Sequence, residues 1–122
     1  MRFRLSEPAR SDLARILAVS SERGGTAGRR RYAALLADTM RRAAANPDGP
    51  ATRSQEEILP RLRSIHLRHV RLDDPAMRVR RPVHILYYRA MTPDLIEIIR
   101  IPHERMAPSR HLADDAENPE QP

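Results

Sequence analysis

The chain has 122 residues, with 22 basic and 16 acidic side chains and a formal net charge of +6 at pH 7. Every basic residue in that count is arginine, and cysteine is absent, which excludes disulfides, a thiolate nucleophile and a zinc thiolate site. The length suits one domain with one modest core. No apolar run reaches the length of a signal peptide or a membrane span, so we expect a cytoplasmic protein with no membrane partner. The positive charge favours polyanions or an acidic protein partner.

The first residues predict a short strand followed by a helix. Phe3 and Leu5 alternate with arginines, which is the period of a strand with one buried face. Ser6 suits the N-cap of a helix, and Pro8 is tolerated in the first turn because that turn has spare N–H groups. The apolar residues that follow share one helix face. They are Ala9, Leu13, Ile16 and Leu17.

Two glycines predict the end of this helix and the start of another. Gly24 and Gly25 lower helix propensity and readily adopt the left-handed conformation of a helix end. A second helix then begins near Thr26, and its apolar residues again share one face. They are Tyr32, Leu35, Leu36, Met40 and Ala43. "NPDGP" at 46–50 ends this helix, so the pattern predicts a helical hairpin with a shared apolar seam.

The second half of the chain predicts three consecutive strands after a polar loop at 51–60. They are "RLRSIHLRHVRL" at 61–72, a segment from about 79 to 91, and 95–101. Apolar residues occur on both faces of the middle strand. This indicates a strand covered on each side, or covered by helices on one side and by a partner on the other.

We therefore predict an α+β fold made of an N-terminal strand, a helical hairpin and a three-stranded antiparallel meander. The domain spans residues 1–112. The remaining segment, 113–122, is acidic and contains proline, and is expected to be disordered.

The histidines do not predict a metal site. His66 and His69 are three apart on a predicted strand, which directs their side chains to opposite faces. His103 and His111 lie in a segment of unknown path. Because zinc sites need three or four convergent ligands, we expect neither a metal nor another cofactor.

Several motifs carry a family resemblance. "FRLSEPARSDL" resembles the opening of the RelE/ParE toxin superfamily. "LRSIHLRHV", "RPVHILYYR", "IEIIRIPHERM" and "SRHL" resemble, in order, the later strands and the tail of its ParE branch. The match covers roughly Arg2 to Leu112. It implies a RelE/ParE-like fold and a type II toxin neutralised by a cognate antitoxin, ParD-like or similar, that an adjacent gene encodes and that forms a hetero-oligomer with the toxin.

The resemblance leaves two functions open. ParE-like members are known for inhibiting DNA gyrase, whereas RelE-like members are messenger-RNA endonucleases that act on the ribosome. RelE-like cleavage uses lysine, arginine and a tyrosine near the C-terminus, but lysine is absent here and no tyrosine follows Tyr88. We therefore expect a gyrase inhibitor that is not itself a catalyst. Under the ribonuclease alternative, the acid, base and phosphate clamp are drawn from His103, Glu104, Arg105 and His111.

Two sets of residues are predicted to bind partners. The segment after the last strand presents basic side chains to the target. They are His103, Arg105, Arg110 and His111. An antitoxin is expected to cover the sheet face that lacks helices, aided by arginines. The residues predicted for that face are Arg63, Arg68, Tyr88, Arg89 and Arg100. For Tyr88 the alternative is packing under a helix.

Overall fold

The computed structural model describes residues 2–106. The chain runs in order through β1 (Arg2–Leu5), α1 (Glu7–Ala45), β2 (Arg53–Ser54), β3 (Leu62–His66), β4 (Ile85–Thr92) and β5 (Leu95–Arg100), with 3-10 turns at Leu67–His69 and Pro75–Met77. This arrangement confirms the α+β fold. The predicted acidic tail at 113–122 lies outside the described residues.

The predicted helical hairpin is formed by α1, which is interrupted once. Gly25 has φ 64° and ψ −161°, while the residues on either side are helical. A Cβ placed on Gly28 would lie 3.3 Å from the carbonyl oxygen of Ser20. In a continuous helix, residues eight apart are separated by about 12 Å along the axis. The chain therefore reverses at Gly25, and the two halves of α1 lie side by side.

Both ends of α1 match the sequence prediction. The Ser6 hydroxyl accepts a hydrogen bond from the Ala9 amide (3.1 Å) and donates one to the Ile99 carbonyl (2.8 Å). This side chain therefore caps the helix and ties it to β5. At the other end, Asn46 is the C-cap, and its amide donates to the Arg42 carbonyl.

The sheet has the strand order β1-β5-β4-β3-β2. β1 pairs in parallel with β5, and the other neighbours are antiparallel. The three-stranded meander is present as β3, β4 and β5. The segment 51–60 was predicted to be a loop, but Arg53–Ser54 adds a short edge strand, which pairs with Arg63 and Ser64. A two-residue strand is too short for its periodicity to be recognised.

Two strands are shorter than predicted. β3 ends at His66, and Leu67–His69 form a 3-10 turn, so the rings of His66 and His69 approach to 6.2 Å between centroids. Assigning these two side chains to opposite faces of one strand was therefore wrong. β4 begins at Ile85 instead of near residue 79, although an isolated bridge between His84 and His103 extends the ladder.

The sheet is covered on both faces. The main core lies between α1 and one face, to which Leu86, Tyr88 and Ile98 contribute. On the other face, Tyr87 and Ile99 pack with Leu59 and Leu62, and the 55–61 segment covers them. We expected a large uncovered apolar sheet face. Within residues 2–106 this face is instead covered by the 55–61 segment of the same chain.

Candidate functional site

A cleft of about 860 Å³ opens between the two halves of α1 and the segments where β4 begins and β5 ends. Asp12, Tyr32, His84 and His103 are among the side chains that line it. The reversal of the chain at Gly25 places both halves of α1 on the same side of this cleft. The fold thus collects titratable groups from distant parts of the sequence at one place.

An ion pair holds one wall of the cleft. The Asp12 carboxylate accepts hydrogen bonds from the Arg100 guanidinium at 2.8 and 3.0 Å and from the Ile101 amide at 2.9 Å. Arg15 donates to the same carboxylate at 2.8 Å. Burial alone would raise the pKa of Asp12, but the Arg100 and Ile101 hydrogen bonds and the nearby positive charges lower it below 3.8. Asp12 is therefore a carboxylate at neutral pH.

A tyrosine and two histidines lie at the end of the β4–β5 hairpin. The Tyr32 hydroxyl is 2.6 Å from His84 Nδ1 and accepts the Val83 amide proton at 3.2 Å. The rings of His84 and His103 are 5.6 Å apart, edge to face. Burial, and after it the charge of His103, lower the pKa of His84 to about 4. His84 is thus neutral at pH 7, and we assign its Nδ1 as acceptor of the Tyr32 proton.

A third histidine, His66, is paired with a carboxylate. His66 Nε2 lies 2.7 Å from Glu104 Oε1, while His66 Nδ1 accepts the Arg68 amide proton at 3.0 Å. Because Nδ1 is an acceptor, the ring proton is on Nε2 and is donated to Glu104. The hydrogen bond from His66 lowers the pKa of Glu104. Both ring nitrogens of His66 are therefore engaged.

The cleft is strongly electropositive. Its lining contains seven arginines, which are Arg15, Arg23, Arg31, Arg80, Arg81, Arg100 and Arg105. Two carboxylates line it, Asp12 and Glu104, and both are already bonded within the protein. Val19 and Met106, which are 40% and 46% exposed, also line the cleft and are the exposed large hydrophobic residues within 2–106. A partner with acidic and apolar groups would be complementary to this surface.

The predicted target-binding residues are partly within the described structure. His103 and Arg105 line the cleft, and the Arg105 amide donates to His103 Nδ1 at 3.1 Å. Glu104, predicted as part of a ribonuclease site, lies between them. Arg110 and His111 lie outside the described residues, so their role stays a prediction.

The predicted antitoxin-binding residues do not share one face. Tyr88 is 1% exposed in the core beneath α1, where its hydroxyl donates to the Pro47 carbonyl. Arg63 bonds to the same carbonyl, and Arg100 is paired with Asp12. Tyr88, Arg63 and Arg100 therefore lie on the α1 side of the sheet, and their assignment to the face away from α1 was wrong. For Tyr88, the alternative of packing under a helix is the observed one. Arg68 is exposed in the turn after β3.

Arg89 is the member of this set that lies on the other face, opposite Leu62 in the β3–β4 pairing. Its Nε is buried and has no hydrogen-bond partner among the described residues. An unpaired buried donor costs about 1–3 kcal/mol, and because this Nε is shielded from solvent, a second molecule could reach only the outer part of the Arg89 side chain.

Sequence analysis did not identify Asp12, Tyr32 and His84 as parts of one site. Tyr32 was assigned to an apolar helix face, and it does contribute to the core. The available signal was Asp12 itself, a carboxylate next to the apolar stripe of a helix, which needs a buried cation as partner. The identity of that cation could not be obtained from spacing, because Arg100 is 88 residues away.

Residues 2–106 include no helix with the length and apolar character needed to cross a bilayer. Within the same residues, histidine, aspartate and glutamate side chains nowhere form a group of three that could hold a metal ion.

The fold and the cleft define a small α+β protein with an electropositive binding surface. A family model for the ParE toxin of type II toxin-antitoxin systems, parDE, matches residues 3–108, more than four-fifths of the chain. The chain belongs to this family and is a type II toxin, which confirms the resemblance of the sequence motifs. A search among curated proteins finds no match.

Proposed function

We propose that this toxin inhibits DNA gyrase by binding it through the electropositive cleft, without catalysing a reaction, and that a cognate antitoxin neutralises it. Membership of the ParE toxin family implies an antitoxin partner in a toxin-antitoxin system. The observation that carries the proposal is the composition of the cleft. Seven arginines and the two exposed apolar side chains, Val19 and Met106, meet there.

This composition suits a protein partner. Apolar side chains at the centre of an interface supply binding energy, while surrounding charges accelerate association and select the partner. In the cleft, Val19 comes from α1 and Met106 follows the last strand, with guanidinium groups around both. An acidic surface with small apolar projections would be complementary to it.

The chemistry of the titratable groups supports binding over RNA cleavage. A ribonuclease needs a base for the 2′-hydroxyl and an acid for the leaving oxygen. Burial raises the pKa of Tyr32, Tyr87 and Tyr88, which makes each of them a poor proton donor near neutral pH. Glu104 is bonded to His66, and the sequence has no lysine.

The antitoxin is proposed to bind two places. The cleft attracts an acidic segment, and the half-buried side chain of Arg89 places a positive charge on the other sheet face. A chain that contacts both would wrap around the toxin, as extended antitoxin segments can. Co-expression with the adjacent small reading frame should restore growth and give a stable complex. If no neighbouring gene restores growth, neutralisation by a cognate antitoxin is wrong.

The function is tested with the purified full chain. The expected result is loss of supercoiling by gyrase together with accumulation of linear DNA. Arg105→Ala removes one exposed charge of the cleft and should weaken inhibition about tenfold, a change equivalent to one charge-assisted contact. Arg10→Ala removes an exposed charge outside the cleft and serves as the matched control.

A second assay, with translating ribosomes, tests the alternative that the toxin is a ribonuclease. Translating ribosomes with messenger RNA should remain uncut at toxin concentrations that block gyrase. Cleavage of the RNA with gyrase unaffected would overturn the proposal, and His103, Glu104 and Arg105 would then become the candidate catalytic residues.

A further inference from the structure

A second concave surface adjoins the cleft. It is a groove of about 460 Å³, lined by residues of the 68–82 segment together with Leu35 and Glu104. Five arginines line it, namely Arg68, Arg71, Arg78, Arg80 and Arg81. Glu104 is the one carboxylate in the lining, and His66 already holds it at 2.7 Å. We name this surface the arginine groove.

One arginine of the groove is engaged in hydrogen bonds within the protein, and the other four are free to bind a ligand. Arg78 donates to the Leu72 carbonyl at 2.8 Å and to the Asp73 carbonyl at 3.3 Å, so its side chain closes the 72–78 loop. The other four are exposed, and their guanidinium groups form no hydrogen bond or ion pair with any residue in 2–106. Glu104 offsets part of this charge, since Arg81 is close enough to lower its pKa. The remaining excess of cations around one concavity is repulsive, and a bound polyanion relieves this repulsion.

The groove contains no exposed large hydrophobic side chain. Of its apolar lining residues, Leu35 and Val70 are only 2% and 5% exposed, and Leu72, Val79 and Pro82 are half-buried. The exposed apolar residues of 2–106, Val19 and Met106, lie in the cleft instead. Protein interfaces depend on buried aromatic or aliphatic anchors, whereas a phosphate backbone is bound by cations alone. The groove therefore suits a nucleic acid better than an acidic protein.

The aromatic residues indicate which nucleic acid. Single strands are bound by stacking their bases on exposed rings. Here Tyr32, Tyr87 and Tyr88 are buried, and Phe3 packs against the core. The one exposed aromatic ring within 2–106 is the imidazole of His69, which is too little to stack a run of bases. Duplex DNA requires no stacking and presents about one negative charge per 1.7 Å of its axis. We propose that the arginine groove binds the phosphate backbone of duplex DNA without reading its sequence.

This binding goes beyond gyrase inhibition and does not depend on it. The groove and the cleft share Arg80 and Arg81, so DNA in the groove would lie directly beside a protein bound in the cleft. A toxin that contacts both the enzyme and its DNA would be retained on the complex longer than one that contacts the enzyme alone.

The test measures fluorescence anisotropy of a short labelled DNA duplex of random sequence with the full chain and no gyrase. Salt is varied between about 50 and 200 mM. Engagement of the four available arginines predicts a slope of log K against log salt of roughly −3.6, since each neutralised phosphate contributes about −0.9.

Arg68 and Arg71 line the groove but not the cleft, so their double replacement by alanine isolates the groove. It should reduce the magnitude of the slope by about 1.8 and the affinity at low salt by about tenfold or more. Arg10 and Arg53 are exposed and lie outside both surfaces, so R10A/R53A is a control with the same change in net charge. This control should change affinity less than about twofold.

Three outcomes would overturn the inference. They are absence of duplex binding at low salt, an equal loss of affinity in the two double variants, and tighter binding of single-stranded RNA than of duplex DNA. Gyrase inhibition that persists without duplex binding would contradict this inference and leave the proposed function intact.

Discussion

The Asp12 carboxylate joins the first half of α1 to the end of β5. It accepts three hydrogen bonds from outside α1, two from the Arg100 guanidinium and one from the Ile101 amide. A buried carboxylate without such donors would be strongly destabilising, so the pair is necessary once Asp12 is buried. The same contacts form one wall of the electropositive cleft.

Asp12→Asn should lower the free energy of unfolding by about 3 kcal/mol at pH 7, because it removes the buried charge to which Arg100, Arg15 and the Ile101 amide donate. The pKa of Asp12 is lowered in the folded protein, so its contribution is present above about pH 3.8 and is lost as the pH falls through the lowered value. The variant and the unmodified protein should therefore converge in strong acid. Denaturant unfolding at several pH values measures this.

Asp38→Asn is the matched control for Asp12→Asn. Asp38 pairs with Arg42 at 2.7 Å near the surface of α1, and such pairs contribute about 0.3–0.5 kcal/mol. Equal destabilisation by the two variants would contradict the role assigned to Asp12.

His84 predicts a second pH dependence. Its pKa is about 4 in the folded protein, whereas an unfolded histidine binds a proton near pH 6.5. Between these values the unfolded state binds more protons, so the free energy of unfolding should fall as the pH decreases from 6.5 to 4. The loss attributable to His84 is on the order of 3 kcal/mol.

His84→Gln removes this titration while offering an amide oxygen to the Tyr32 hydroxyl. We expect unfolding curves of the variant to change less between pH 6.5 and 4 than those of the unmodified protein. An identical pH dependence of the two proteins would show that burial of His84 does not produce the loss.

At the level of elements, the hairpin in α1 depends on one residue. Gly25 has φ 64° and ψ −161°, a combination that residues with a Cβ avoid. Gly24 precedes it without a positive φ, and a Cβ added at either glycine would meet no atom within 4 Å. Position 25 therefore requires glycine because of its backbone conformation, and not because a side chain would clash with a neighbour.

Gly25→Ala should lower the free energy of unfolding by about 1–3 kcal/mol, the usual cost of a strained backbone conformation. Gly24→Ala should leave it unchanged or raise it by up to about 1 kcal/mol, because alanine favours helix. Thermal unfolding of both variants provides the comparison. Greater destabilisation at position 24 would contradict the assignment of the turn.

At the level of the whole molecule, the cleft is the place within residues 2–106 where positive charge and exposed large apolar side chains coincide. Val19→Asp should weaken association with the antitoxin and with the proposed target, gyrase, at least about tenfold, because it places a carboxylate at the apolar part of the proposed interface. The expected readouts are loss of co-purification and loss of toxicity.

Ala18→Asp introduces the same charge at the neighbouring exposed position, which does not line the cleft. Both variants should keep the thermal midpoint of the unmodified protein. If Ala18→Asp abolishes toxicity as fully as Val19→Asp, the cleft is not the protein-binding surface.

The sequence was most informative where the signal is local. The N-cap at Ser6, the break at Gly25 and the end of α1 at Asn46 were predicted, because caps and glycine conformations depend on a few adjacent residues. The order of elements followed from periodicity, whereas the family was recognised from the resemblance of motifs read in chain order. The extent of β3 was not predicted, since a 3-10 turn such as Leu67–His69 can carry apolar residues as a strand does.

Contacts between distant segments were decided by tertiary structure alone. Tyr32 and His84 are 52 residues apart, and Asp12 and Arg100 are 88 apart, so no spacing rule connects them. Periodicity tells which face of an element is buried, but not which element covers it. For that reason the sequence by itself determined that this chain is an α+β protein with family features of a toxin. Packing decided the rest, namely the parallel pairing of β1 with β5, the covering of one sheet face by the 55–61 segment, and the gathering of arginines around a cleft and a groove.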